Sequence, residues 1–139
     1  MTTTSKIGLK HPVIHFEIVG RDPVALGSFY RDVFGWATRE PTPGDPMQYV
    51  TIDTVPGEDG FISGGIGKAP EGYDGHVTWY IRVDDVESAL AQVEAKGGSR
   101  VMGPDKVPMP GGGEITIGLF RDPQGNRIGL VDPGAMEQT

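Results

Sequence analysis

One pattern occurs twice in this chain, and it limits the possible folds more than any other feature. Residues 13–19, Val-Ile-His-Phe-Glu-Ile-Val, alternate apolar and polar. An aspartate then opens an amphipathic helical stretch that a glycine closes thirteen residues later, at Asp22 and Gly35. Residues 76–83, His-Val-Thr-Trp-Tyr-Ile-Arg-Val, alternate again, and the spacing from Asp84 to Gly97 is once more thirteen, an offset of 62 between copies. Alternation with period two marks a half-buried strand, and a 3.6-residue apolar stripe marks a helix packed on one face. A recurring strand–helix unit at a fixed offset is the signature of a duplicated supersecondary motif.

Each copy can be read in detail. In the first, Ile14, Phe16 and Ile18 share one face of the strand, and His15 and Glu17 share the other. Asp22 and Pro23 supply an N-cap and a first helical position. Leu26, Phe29, Tyr30, Val33 and Phe34 recur at helical spacing, and Gly35 suits a left-handed C-cap. Strands are expected at 48–53 and 60–66, with a short one at 36–39. In the second copy, Val77, Trp79, Ile81 and Val83 take one face and His76, Thr78, Tyr80 and Arg82 the other. Asp84-Asp85 caps a helix to Lys96 with Val86, Ala89, Leu90 and Val93 as its stripe. Strands follow at about 100–102, 114–121 and 127–131. The expected fold is therefore α+β: two tandem βαβββ units within one domain spanning 1–139. Unit one covers about 11–67, an aperiodic linker 68–75, unit two about 76–132 and a tail 133–139. A chain of 139 residues suits a single domain with one modest core.

Charge and composition narrow the partners. The net charge of −7 opposes nucleic-acid or anionic-membrane binding, each of which needs a basic face. There is no cysteine, so disulfides, thiolate metal sites and a Cys nucleophile are excluded. No apolar run reaches the ~18–20 residues of a membrane span, and the opening Met1-Thr-Thr-Thr-Ser-Lys6 lacks the apolar core of a secretory signal. These features point to a cytoplasmic protein. The 22 glycines and 12 prolines fall between patterned segments, where turns and loops account for them.

Three local motifs, in register with the repeat, resemble one known family. Ser28-Phe29-Tyr30-Arg31-Asp32-Val33-Phe34-Gly35-Trp36 is similar to its first helix end, Val83-Asp84-Asp85-Val86 to the start of its second helix, and Asp122-Pro123-Gln124-Gly125-Asn126 to the turn into its last strand. The family is the vicinal-oxygen-chelate superfamily of glyoxalases, bleomycin-resistance proteins and ring-cleaving dioxygenases, and the resemblance covers residues 13–131, in the glyoxalase-like branch. It implies a U-shaped mixed sheet with helices outside and a concave ligand cleft. It also implies a small-molecule ligand and a homodimer. His15, Glu17, His76, Thr78, Tyr80 and Arg82 would then line the cleft, while Ile14, Phe16, Ile18, Trp79, Ile81 and Val83 pack under helices.

The resemblance further implies a divalent metal held by four ligands, one on the first and one on the last strand of each unit. His15, seven residues before Asp22, matches the first. The second falls at Thr78, which is a poor ligand for Ni, Mn, Fe or Zn. His76 shares that strand face but lies about 7 Å away along the strand. The last-strand positions fall at Gly129 and near Ser63-Gly64-Gly65, without a carboxylate. The standard metal site is thus not expected, and His15 is read first as a hydrogen-bonded cleft histidine. A remodelled site of His15, Glu17 and His76 is the alternative, supporting lyase, isomerase or dioxygenase chemistry.

Other chemistry stays open. His15 and Glu17, two residues apart on one face, would make an acid–base pair in a dry cleft, and a solvated polar lining is the plainer reading. Trp36, Tyr49, Phe61, Tyr73, Trp79, Tyr80 and Phe120 are the candidate aromatics. Tyr49 and Tyr80 are expected in the cleft, favouring a flat aromatic or apolar metabolite or drug-like ligand. Residues 103–113 are breaker-rich and have the look of a lid or a surface connection, with Met109 adaptable to a ligand's shape. The Asp122–Asn126 turn is read as structural. The function expected is small-molecule binding, with a metal-dependent or a metal-free acid–base enzyme as alternatives.

Overall fold

A computed structural model describes residues 11–45, 48–72, 75–109 and 112–134. The elements run β1 (Val13–Gly20), α1 (Pro23–Phe34), β2 (Ala37–Arg39), β3 (Val50–Asp53), β4 (Ser63–Lys68), β5 (His76–Arg82), α2 (Val86–Ala95), β6 (Ser99–Pro108), β7 (Glu114–Arg121) and β8 (Arg127–Asp132). The β-α-β-β-β order occurs twice, as the repeat predicts. The chain forms two compact units, residues 14–79 and residues 80–134 with 11–13. In the first, the strand order is β2-β3-β4-β1, with β1 and β4 parallel and the other pairs antiparallel. In the second, which β5 enters from Tyr80 onward, the order is β6-β7-β8-β5, with β5 and β8 parallel. The two sets of four strands have the same topology, and the fold class is α+β.

The helix starts show how the sequence enforces this. Asp22 accepts from the Ala25 amide at 3.1 Å, and Asp85 accepts from the Ser88 amide at 3.1 Å. Each satisfies one of the orphan donors of a first turn. Of the Asp84-Asp85 pair it is Asp85 that caps, 63 residues after Asp22. Counted from the true caps, Thr78 occupies the place of His15 and Tyr80 the place of Glu17. Gly35 closes α1 at φ +75°, a conformation that costs a residue with a Cβ.

Each unit has its own core. Val50, Ile52 and Ile66 are buried in the first, with Phe16, Ile18, Leu26, Tyr30 and Trp36 packed on them. Val83, Val86, Leu90 and Leu130 are buried in the second, under Ile81, Ala89 and Phe120. Fully burying one such side chain stabilises by about 1.5–3 kcal/mol.

The structure corrects four expectations. On α1 only Leu26 and Tyr30 of the expected stripe pack inward, while Phe29, Val33 and Phe34 are exposed. At buried Gly27 α1 instead comes close to the sheet, where an added Cβ would sit 3.3 Å from Val50 Cγ1. On β5, Val77 and Trp79 are exposed, Trp79 by 50%, and Ile14 on β1 is 37% exposed. The helices cover only the later part of each first strand, so Ile81 and Val83 pack and the earlier residues do not. The breaker-rich segment from Gly103 is mostly not a loop. It belongs to β6, whose Asp105, Lys106, Val107 and Pro108 pair with Ile117, Thr116, Ile115 and Glu114. A register shift between Met102 and Asp105 absorbs Gly103 and Pro104, and a second lies between Arg100 and Met102. Finally, β4 extends to Lys68, into the stretch read as linker.

The Asp122–Asn126 turn is structural. One Asp122 oxygen accepts from the Gln124 and Asn126 amides, both at 2.9 Å, and the Asn126 side chain donates to the other. No helix among the described residues is long and apolar enough to cross a membrane.

Candidate functional site

The sequence-predicted pair comes together through a third residue. His15 and Glu17 stand on one face of β1, both partly buried. Tyr49 enters from the loop before β3 and puts its hydroxyl between them. The oxygen lies 2.8 Å from His15 Nε2, and the hydroxyl donates to Glu17 Oε1 at 3.3 Å. The His15 and Tyr49 rings lie nearly parallel, 17° apart, with centroids 6.4 Å apart. With the phenolic proton committed to Glu17, Nε2 must be the protonated ring nitrogen and donate to the Tyr49 oxygen.

Local structure places Tyr49. Its backbone amide donates to Asp45 Oδ2 at 3.0 Å, and the Gln48 amide donates to the Asp45 carbonyl at 3.1 Å. Gln48 takes φ +50°, a left-handed turn that a non-glycine residue adopts only where its surroundings enforce it. Across the sheet, Gly65 is opposite Glu17, and an added Cβ there would run into the Tyr49 ring. The glycine is the seat for the tyrosine.

Burial sets the proton affinities. Desolvation raises the Glu17 carboxyl above its usual value, and the Tyr49 hydrogen bond opposes this only in part. Desolvation lowers the His15 imidazole. Both shifts favour the neutral form, so the two groups move toward one another on the pH scale.

The other expected site residues are spread differently. Thr78 is buried, 3% exposed. Tyr80 is also buried, and its ring covers Gly129, where an added Cβ would lie 2.5 Å from Cδ2. His76 is half-buried at the start of β5. Met109 sits in the β6–β7 turn, its amide donating to the Gly113 carbonyl at 3.0 Å and its carbonyl accepting from Gly112 at 3.1 Å. That places it in a hairpin tip and not in a long lid. Of the other aromatics, Trp36 stacks on Tyr30 at 5.1 Å and touches Phe16 and Phe34. Phe120 packs on the second core, Phe61 is exposed, and Tyr73 lies outside the described residues.

The four-ligand metal site does not fit these residues. At Gly65 and Gly129, the places for last-strand carboxylates, tyrosine rings fill the space a side chain would need. Among the described residues no three His, Cys, Asp or Glu side chains are grouped to hold a metal ion, so His15, Glu17 and His76 do not form the remodelled cage. The sequence put His15 and Glu17 on one face of β1 and led to the expectation of Tyr49 in a cleft, but did not reveal Tyr49 as the residue that bridges the two. The contact spans 32 to 34 residues, and no local pattern announces it.

Comparison with known proteins agrees with the architecture. The family model described as "Glyoxalase/Bleomycin resistance protein/Dioxygenase superfamily" matches residues 13–130. A "Glyoxylase-like domain-containing protein" of Didymella fabae is 28% identical over 116 residues, covering 79% of this chain and 84% of its own. Among solved structures, methylmalonyl-CoA epimerase from Mycobacterium tuberculosis superposes with a TM-score of 0.61 at 15% identity, covering 91% of this chain and 90% of its own. A superfamily member from Vibrio splendidus 12B01 gives 0.59 at 16%, covering 88% and 98%.

Proposed function

The chain belongs to the glyoxalase/bleomycin resistance protein/dioxygenase superfamily, and from that premise we propose that its first unit binds a small organic molecule and moves a proton on it by metal-free acid–base chemistry. The observation that carries this reading is the Tyr49 hydroxyl held between His15 Nε2 and Glu17 Oε1. A partly desolvated carboxylate is a stronger base than one in water, and its raised proton affinity brings it nearer the range useful for proton transfer.

The chemistry follows from these groups. Glu17 takes a proton from a carbon beside a carbonyl, and the bond's electron pair stays on the substrate as an enolate. Once protonated, Glu17 no longer needs the Tyr49 proton, which is free to turn toward the substrate oxygen. His15 holds the phenol in place in either state. Returning a proton to carbon completes an isomerisation or an epimerisation. Solved structures with this fold include methylmalonyl-CoA epimerases, and inversion of a stereocentre beside a carbonyl is a reaction of this class.

The test is deuterium wash-in. In D2O, exchange at the α-carbon of methylmalonyl-CoA, propionyl-CoA and simple ketones is followed by proton NMR. Exchange that depends on the protein and falls by roughly 10²–10⁴ in Glu17→Gln is the expected result. Exchange indifferent to Glu17→Gln, or absent with every carbon acid, refutes the reading. A second reading, binding without turnover, is favoured by one observation: Glu17 Oε1 is already engaged by Tyr49. Saturable binding by Glu17→Gln and native protein alike, with no exchange in either, would establish it.

A further inference from the structure

The trio of His15, Glu17 and Tyr49 occupies only part of the sheet face it stands on. Strand register extends that face across the first unit. His15 lies opposite Ser63, Glu17 opposite Gly65, Gly65 opposite Thr51, Thr51 opposite Arg39, and Asp53 opposite Ala37. Directly paired residues project to the same side of a sheet, and the side alternates along each strand. Ser63, Thr51, Asp53, Ala37 and Arg39 therefore share the side of the trio. An open hollow of about 410 Å³ is lined by these five residues together with Thr38 and Ile52. Ser63 stands one strand spacing, about 4.8 Å, from His15 at the backbone.

The chemistry of the hollow is specific. Ile52 is in the core, and the Thr38 hydroxyl accepts from Arg31, so the other five set its character. Arg39 makes no ion pair with a described residue. Thr51 and Ser63 contribute hydroxyls. Asp53 adds one negative charge, with Oδ1 accepting from the Val55 amide at 3.1 Å. A guanidinium matches a carboxylate's two oxygens. A fixed carboxylate nearby raises the cost of a doubly charged anion.

We propose that this hollow is the subsite for a carboxylate carried by the substrate, with Arg39 as its counter-charge, Thr51 and Ser63 as hydroxyl donors, and Asp53 as the group that disfavours phosphate. The proposal rests on the acid–base reading, and it names the substrate class: a short organic acid whose carbon next to a carbonyl reaches Glu17. Arg39 is three strands from Glu17, roughly 14 Å at the backbone, and both side chains are long. The Tyr49 ring lies over Gly65 between them, so the acid would reach Glu17 beside that ring.

The test uses pyruvate, a monoanionic carbon acid. Acetone shares its ketone chemistry without a carboxylate, and inorganic phosphate supplies the doubly charged anion. The full chain, labelled with nitrogen-15, is titrated with each while backbone amide shifts are followed, and methyl deuterium exchange is read in parallel. Pyruvate should shift the Arg39, Thr51, Asp53 and Ser63 amides saturably, and Arg39→Gln should weaken its binding roughly tenfold, with Arg39→Lys intermediate. Phosphate should bind more weakly, and Asp53→Asn should narrow that gap. Pyruvate shifts outside the hollow, or affinity unchanged in Arg39→Gln, overturn the subsite. Exchange of acetone that requires Glu17 while pyruvate ignores the hollow removes the subsite and leaves the acid–base reading standing. Pyruvate bound in the hollow with no exchange of any carbon acid keeps the subsite and removes that reading.

Discussion

The two units share a topology and differ in what they do with it. Each pairs its first strand in parallel with its last, caps its helix with one aspartate, and lays a tyrosine ring over a glycine of the last strand, Gly65 or Gly129. In the first unit the tyrosine comes from a distant loop and leaves His15 and Glu17 on the strand, half-buried and bridged. Counted from the helix caps, the corresponding positions on β5 are Thr78 and Tyr80, and Tyr80 itself covers the glycine. A half-buried histidine and glutamate in one copy thus stand where the other has a buried threonine and tyrosine.

The largest effects expected from breaking that equivalence are in the cores. Ile66 and Leu90 are both fully buried, and Ile66→Ala or Leu90→Ala should each destabilise by about 2–5 kcal/mol in urea unfolding. Losses of similar size support the structural equivalence of the units. A loss in one unit with none in the other breaks it. The tyrosine-on-glycine seats come next. Gly65→Ala and Gly129→Ala should each cost about 1–3 kcal/mol by overpacking. Adding Tyr49→Ala to Gly65→Ala should recover part of the loss, and failure to recover any would show that the ring is not what the methyl meets. The helix caps are smaller still, about 1 kcal/mol for Asp22→Ala and for Asp85→Ala. Asp84→Ala should do less than Asp85→Ala, which tests the assignment of the second cap directly.

Sequence legibility followed the range of the interactions. The cap at Asp22, the αL glycine at Gly35, the alternation of β1 and the Asp122 turn are set within a few residues, and all were readable. The pairing of His15 with Glu17 was readable for the same reason. Tyr49's place between them was not, because strand pairing and a turn at Gln48 bring it there from more than thirty residues away. That Arg39, Thr51 and Ser63 share a side of the sheet was not readable either, since each looks like an ordinary polar strand residue until register aligns them. β6 misled for a different reason: Gly103, Pro104 and Pro108 read as breakers, yet β-bulges and an antiparallel partner accommodate them. Along β5 the alternation was correct, but alternation cannot say how far a helix reaches, so Val77 and Trp79 were read as packed when they are exposed.

The smallest effect is the one that separates the two copies most cleanly, because its sign is opposite for His15 and Glu17 and the corresponding Thr78 and Tyr80 are neither a carboxylic acid nor an imidazole. Glu17 has a proton affinity raised in the folded state. The stability it contributes is fully present below its usual value near 4.5 and is lost as pH rises through the raised folded value. His15 is depressed. Its contribution is present above the usual value of 6.5 and is lost as pH falls through the lowered folded value. Glu17→Gln should therefore remove a decline in stability that begins above about pH 4.5, and His15→Gln a decline that begins on acidifying below about pH 6.5. Urea midpoints measured at half-unit pH steps resolve both slopes. The Tyr49 bond holds back the Glu17 shift, so Tyr49→Phe should steepen the Glu17 slope by removing a donor to the charged carboxylate. A Tyr49→Phe profile that overlays the native one would mean that the hydroxyl does not bridge the pair in solution, and the first unit would then lose the feature that distinguishes it from the second.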